Sequence, residues 1–205
     1  MSLISSLNAL FNHAGLRRFI VRTRLPLGAA ALLAALWFVP ADSPWFWRGM
    51  AVSLAGAAGQ WWCFACIMTS QELAVNGPYR YVRNPMYLTR YLLILGLVLM
   101  LDPVRYGWSW LLPVAYSLVY IFFMHNRVRR EERKLTPLFG ASYERYLREV
   151  PRFLPGHRPF PGGRSLYWSP AAFRRNHGAR NACAVMAGYL LAYLLVFHVY
   201  PRLRG

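Results

Sequence analysis

Acidic residues are scarce in this chain of 205: seven Asp and Glu stand against 24 Lys and Arg, a formal net charge of +17. That balance excludes an ordinary soluble domain, whose surface mixes both signs. Cysteine is sparse too, with three residues in all. Cys63 and Cys66 form a Cys-x-x-Cys pair inside an apolar run, with no second pair or His cluster nearby, so they read as buried thiols rather than a metal or redox centre. His13, His157 and His177 are too scattered for a metal site, and none is expected. No cleavable leader is expected from the first residues. Met1 to Asn12 has no charged start followed by an apolar core, and the basic residues come afterwards, so the first apolar run is expected to remain as an anchor.

What the chain does have is apolar length: 57% of its residues are hydrophobic and 16% aromatic. They fall in runs from Leu25 to Val39, Met50 to Met68, Met86 to Leu101, Tyr106 to Met124 and Ala182 to Tyr200. A spanning helix needs about 20 mostly apolar residues. The expected fold is therefore an all-α polytopic membrane helix bundle of about five transmembrane helices, with four spans plus an interfacial helix as the alternative. The bases lie between the runs: Arg17, Arg18, Arg22 and Arg24 precede the first, and thirteen lie between His125 and Asn181. This pattern argues against nucleic acid as partner and for topology. By the positive-inside rule the N-terminus, the Thr69 to Pro85 connection and the 125–181 segment are expected on the cytoplasmic side. The same charge is suited to anionic membrane lipids.

Punctuation fits the runs. Pro26 is expected in the first helical turn, and Pro40, Asp42, Ser43 and Pro44 in a tight loop. Gly49, Gly56 and Gly59 put small residues on the second helix, as close helix packing requires. Asn84-Pro85 favours a helix start at Pro85. The fourth helix meets no breaker between Met124 and Pro137, so it is expected to project beyond the membrane. Tyr143, Tyr146, Leu147 and Val150 then suit a short amphipathic helix. The prolines at 151, 155, 159 and 161, with Gly156, Gly162 and Gly163, suit a lid or linker.

Two blocks carry candidate chemistry. In the first, Tyr79, Arg80, Tyr81, Arg83 and Tyr87 surround the Pro85 helix start, whose free N–H groups and dipole suit a carboxylate or phosphate. In the second, Glu131 and Glu132 stand among Arg127, Arg129 and Arg130, either as simple charge neutralisation or as a site for an ammonium group. One anion site plus one ammonium site is what an amino-acid-bearing cofactor demands.

The blocks contain Gly77, Tyr79, Arg83, Asn84, Pro85 and Tyr87, then Glu131, Glu132, Leu135, Phe139, Gly140, Tyr143, Tyr146, Val150 and Pro151. Their order and spacing resemble the membrane methyltransferase family of isoprenylcysteine carboxyl methyltransferase and its phospholipid-methylating relatives. The resemblance runs from about Gln71 to Pro155. It implies S-adenosylmethionine as cofactor without a Rossmann domain, and one membrane domain over 1–205: N-terminal helices 1–70, a methyltransferase-like core 71–155, and a linker with the last helix 156–205. It further implies that Tyr79, Arg83, Asn84, Pro85, Tyr87 and Glu131 bind the cofactor, with Gln71 and Leu73 lining the same pocket. Arg127 matches the family's arginine facing the methyl acceptor, and Glu132 is the nearest candidate base. The implied substrate is a lipid or lipidated small molecule methylated at the cytoplasmic face; the arginines crowding the site favour, by charge complementarity, a carboxylate as the acceptor, whereas an amine would need a base such as Glu132. Asn84 departs from the family, which has His there; an amide keeps hydrogen bonding but cannot ionise near neutral pH. Two other readings stand beside this one: a non-catalytic protein keeping the fold with an impaired site, and a lipid-binding or scaffolding protein. The acceptor and the oligomeric state are left open.

Overall fold

Helix boundaries follow the chain's punctuation in the computed structural model, which describes residues 14–68, 72–105 and 110–204. Helix α1 (Ala14–Leu36) carries Pro26 in its interior, not in its first turn as expected. An interior proline costs about 3 kcal/mol, and here helix on both sides carries the chain through it. Helix α2 (Pro44–Cys66) begins as its sequence suggests, with Pro44 in the first turn and Ser43 as N-cap. The Ser43 hydroxyl accepts from Trp45 N at 3.2 Å and donates to Asp102 Oδ2 at 2.8 Å, joining this helix start to the loop after α3.

Helix α3 (Pro85–Leu99) starts at the expected proline. Helix α4 (Leu111–Glu149) passes Pro137 and turns at Gly140, where φ 52° and ψ −134° interrupt the helical path. Beyond that kink the helix folds back, and Tyr143, Tyr146 and Val150 are buried against Leu73, Val75, Leu135, Phe139 and Phe160. The short amphipathic helix thus packs on protein. Helix α5 (Pro170–Arg175) leads to α6 (Gly178–Leu194), which continues through a π-helical turn at Leu195–Val199 into α7 (Tyr200–Arg204). The described residues are helical or irregular, with no strand among them.

Helices α2 and α3 meet backbone to backbone, as the glycines foreshadow. A Cβ added at Gly49 would run into Met100 and Gly96 of the α3 end, and one at Gly56 into Leu93 and Thr89. Ser53 Oγ donates to Leu93 O at 2.7 Å and meets the Tyr189 hydroxyl at 2.7 Å, which adds α6 to the pair. Leu36, Val39, Phe46, Met100, Ala192 and Val196 close one end of this bundle as a buried cluster. The other end holds the two blocks.

Among the described residues two helices are long and apolar enough to cross a membrane, Leu111–Glu149 and Gly178–Arg204. Only 11% and 17% of their apolar windows is buried, so they are not the core helices of a soluble protein. On α4, Leu111, Leu112, Leu118, Ile121 and Phe122 stand exposed, the surface that lipid covers. Pro26–Leu36 and Pro85–Leu99 are shorter apolar helices. At 1.5 Å per residue the latter is roughly 22 Å long, short of the roughly 30 Å hydrocarbon core. Five full spans are thus more than these helices supply outright.

Replacing Gly56 with Leu should destabilise the protein by about 1–3 kcal/mol or more through overpacking, whereas Gly188→Ala, where a Cβ meets nothing within 4 Å, should be neutral. Thermal unfolding in detergent compares the two; equal melting temperatures would remove the close α2–α3 contact as a stability determinant.

Candidate functional site

The first block owes its shape to one glycine. Gly77 adopts φ +57° at the start of the 3-10 turn Gly77–Arg80, and a Cβ there would lie 2.6 Å from Cys66 Sγ. The turn therefore presses onto the C-terminal end of α2 and seats Tyr79 against Cys63 and Cys66. Tyr146, beyond the α4 kink, donates its hydroxyl to Tyr79 O at 2.7 Å. The second block thereby holds the first.

The Pro/Gly-rich segment is tied down along this turn. Arg83 N donates to Pro151 O at 2.9 Å, Gly156 N to Tyr81 O at 2.7 Å, Phe160 N to Arg80 O at 2.9 Å, and Gly77 N to Arg164 O at 2.8 Å. Arg80 adds Nε to Phe160 O at 2.9 Å and Nη1 to Ser165 Oγ at 2.7 Å. Asn176 then caps the end of α2, donating to Phe64 O at 2.8 Å and Ile67 O at 2.9 Å. Prolines suit such a strap because many of its backbone bonds run to another segment rather than within it.

Glu132 sits at the centre of the join. It is buried, and its carboxylate meets Arg83 Nη1 at 3.0 Å and Arg152 Nη2 at 2.8 Å, with Arg152 Nε at 3.1 Å. The anion expected beside Arg83 is thus supplied by the chain itself. Asn84 adds a bond from Nδ2 to Arg152 O at 3.1 Å. Arg152 was invisible as a site residue in the sequence, because nothing in its local context marks it as the partner of an acid twenty positions earlier.

Glu131 faces the other way. Tyr87 donates its hydroxyl to Glu131 Oε1 at 2.6 Å, and Arg127 Nε donates to the same oxygen at 3.2 Å and to the Tyr87 hydroxyl at 2.9 Å. This pairing is partly open, with the Arg127 and Glu131 side chains 49% and 43% exposed.

Between the blocks lies a cavity of about 330 Å³. Leu73, Tyr79, Arg83, Asn84, Tyr87, Glu131 and Glu132 line it, together with Ile67, Met68, Glu72, Ala74, Met86, Leu135, Phe139, Tyr143 and Tyr146. Pro85 is buried beneath it as the first residue of α3, and Arg127 stands at the edge through Tyr87 and Glu131. Gln71 lies outside the described residues. The sequence reading did not assign Leu135, Phe139, Tyr143 or Tyr146 to the pocket; their recurrence at helical spacing marks a face that something must cover.

The polar groups of this cavity are unevenly satisfied. Tyr79 is 6% exposed and packs on Cys63 and Cys66; its hydroxyl makes no hydrogen bond to nitrogen or oxygen, and the Cys63 thiol lies beside it. Burial holds that phenol well above its ordinary pKa, so it is a neutral donor at physiological pH. Burial also raises Tyr143 to about 12, with the Glu132 charge adding to the shift. A buried donor with only a weak thiol partner beside it, in an otherwise mostly apolar pocket, fits a ligand carrying acceptor atoms.

Residues 50–142 match the model of the phospholipid methyltransferase family. The protein-S-isoprenylcysteine O-methyltransferase of Schizosaccharomyces pombe is 34% identical over 40% of this chain and 33% of its own length. The cobalt-zinc-cadmium resistance protein CzcN of Cupriavidus metallidurans is 30% identical over 62% of the chain and 56% of its own. The nickel-cobalt-cadmium resistance protein NccN of Alcaligenes xylosoxydans is 28% identical, again over 62% of the chain and 58% of its own length. The chain thus spans between a third and three fifths of these relatives. No solved structure matches. The family resemblance carried by the two blocks is borne out.

Removing the Glu132 side chain leaves two guanidiniums facing one another. Glu132→Ala should cost about 3–5 kcal/mol and raise hydrogen exchange across residues 151–165. Unchanged exchange in that strap would show that the carboxylate does not hold it.

Proposed function

We propose that this chain, whose residues 50–142 match the phospholipid methyltransferase family, transfers a methyl group from S-adenosylmethionine to a lipid-like acceptor at the cytoplasmic membrane face. The observation that carries this reading is the cavity itself, which gathers Tyr79, Tyr87 and Glu131 from two separated blocks and leaves the Tyr79 hydroxyl with only the Cys63 thiol beside it. In this reading Tyr79 donates to an acceptor atom of the donor molecule. Glu131 Oε1 is held by Tyr87 and Arg127, which leaves Oε2 for an ammonium group. Leu73, Met86, Leu135 and Phe139 supply apolar walls. When bound, S-adenosylmethionine supplies a methyl group on a sulfonium, whose C–S electron pair returns to sulfur on transfer.

The chain's own residues then align and shield. Pro85 fixes the helix start beneath the cavity, and Arg83 and Glu132 hold the turn against α4. Glu132 therefore acts as a positioning residue, its carboxylate engaged by Arg83 and Arg152, in place of the base considered from sequence. Without such a base, a carboxylate acceptor is favoured, because it attacks the methyl carbon with an oxygen lone pair and releases no proton. Arg127 would orient that acceptor, and the strap at 151–169 would act as a lid over the donor. Asn84 keeps a hydrogen bond to Arg152 O, so the family's histidine is replaced in position though not in ionisation. The basic residues of α4 beyond Met124 would hold anionic lipid near the site.

Equilibrium binding of S-adenosylhomocysteine to the detergent-purified chain tests this. Tyr79→Phe and Glu131→Ala should each weaken binding about tenfold, the loss of one hydrogen bond to a charged or buried group. Asn84→His should bind as well as wild type. Labelled donor offered with a total lipid extract should label a lipid. Absence of binding by the wild type would overturn the reading.

A further inference from the structure

The site as described explains one of two cations on the seam between α3 and α4. Arg127 is tethered to Tyr87 and Glu131. Arg90 is the other. It lies one turn beyond Tyr87 in the apolar helix α3, partly buried, and among the described residues it makes no ion pair and no side-chain hydrogen bond. An arginine so placed in a membrane helix is costly unless something meets its charge.

Tyrosines build the surroundings. Tyr87, Arg90 and Tyr91 share one face of α3, while Tyr116, Tyr120 and Arg127 share one face of α4. Tyr120 donates to Tyr87 O at 2.8 Å and Tyr116 to Tyr91 O at 3.3 Å, and the Tyr91 hydroxyl meets Ser117 Oγ at 2.9 Å. The Tyr91 ring lies 5.7 Å from Tyr116 and 5.4 Å from Tyr120. These bonds fix the rings between the two helix faces that carry Arg90 and Arg127. Arg90 and Arg127 thus share one rigid aromatic wall, flanked on α4 by the exposed Val119 and Phe123. Glu131 answers one of these charges; among the described residues no acid pairs with Arg90.

We propose that Arg90, with Arg127, binds the anionic headgroup of a membrane amphiphile in the α3–α4 seam, making Arg90 a specificity-determining residue for the acceptor. This rests on the methyltransferase reading only for the word acceptor; the binding itself does not. The occupant is committed by three features: cationic guanidiniums select an anion, the exposed Val119 and Phe123 beside the seam take a hydrocarbon tail, and α4 is long and apolar enough to cross a membrane. Guanidinium forks suit carboxylate and phosphate alike.

Native mass spectrometry of the full chain in detergent, with added oleate, dioleoylphosphatidic acid, monoolein or inorganic phosphate, tests the proposal. Oleate or phosphatidic acid should bind, monoolein at least tenfold more weakly. Arg90→Gln should weaken the anionic amphiphile about tenfold, with Arg90→Lys recovering part of the loss, while S-adenosylhomocysteine binding stays at the wild-type level. Equal binding of oleate, phosphatidic acid and monoolein, or no loss in Arg90→Gln, would overturn it. So would displacement of the bound amphiphile by inorganic phosphate, which would mark a plain ion site. Loss of donor binding in the wild type, with amphiphile selectivity intact, would sink the methyltransferase reading alone.

Discussion

One buried carboxylate joins everything that surrounds the cavity. Glu132 stands on α4, Arg83 on the turn before α3, and Arg152 at the start of the strap, so a single side chain binds three segments far apart in sequence. Two guanidiniums on one buried acid are costly to assemble and costlier to break, because either loss leaves an uncompensated charge. That asymmetry favours geometry over raw stability. The tyrosine bonds from Tyr146 to Tyr79 O and from Tyr120 to Tyr87 O complete the same join from neutral groups.

The adjacent glutamate shows how one helix can serve two purposes. Glu132 is buried and faces the strap, whereas Glu131 is partly open and faces Tyr87 and Arg127. Neighbouring helical positions point about 100° apart, so successive acids in one helix reach different environments. The inner carboxylate holds the turn; the outer one keeps an exposed side toward the cavity. Tyr87 links them to α3, where Arg90 continues the same seam into the apolar region.

Much of this was legible in the sequence, for physical reasons that can be named. Pro85 announces the α3 start because proline fits a first turn, and Gly49 and Gly56 announce close helix contact because they lack a Cβ. The two blocks carried the family resemblance, and Tyr79, Tyr87 and Glu131 do share one cavity. Long-range partners were not legible. Arg152 reads as one more base in a basic segment, and its pairing with Glu132 depends on how the strap returns across the turn. Pro26 misled in the opposite sense, since local chemistry marks a helix start where the tertiary fold continues the helix. Span count is the weakest inference from composition, because α3 is apolar throughout yet short.

The central claim is that the cavity between the two blocks is a donor site held open by the Glu132 join. A structure determined with S-adenosylhomocysteine present tests it most directly. The account places the ligand in the cavity, in contact with the Tyr79 hydroxyl and the Glu131 carboxylate, with Arg83 and Arg152 still on Glu132. A ligand bound elsewhere, or a cavity closed by Phe139 and Tyr143 with the Tyr79 hydroxyl bonded within the protein, would contradict it.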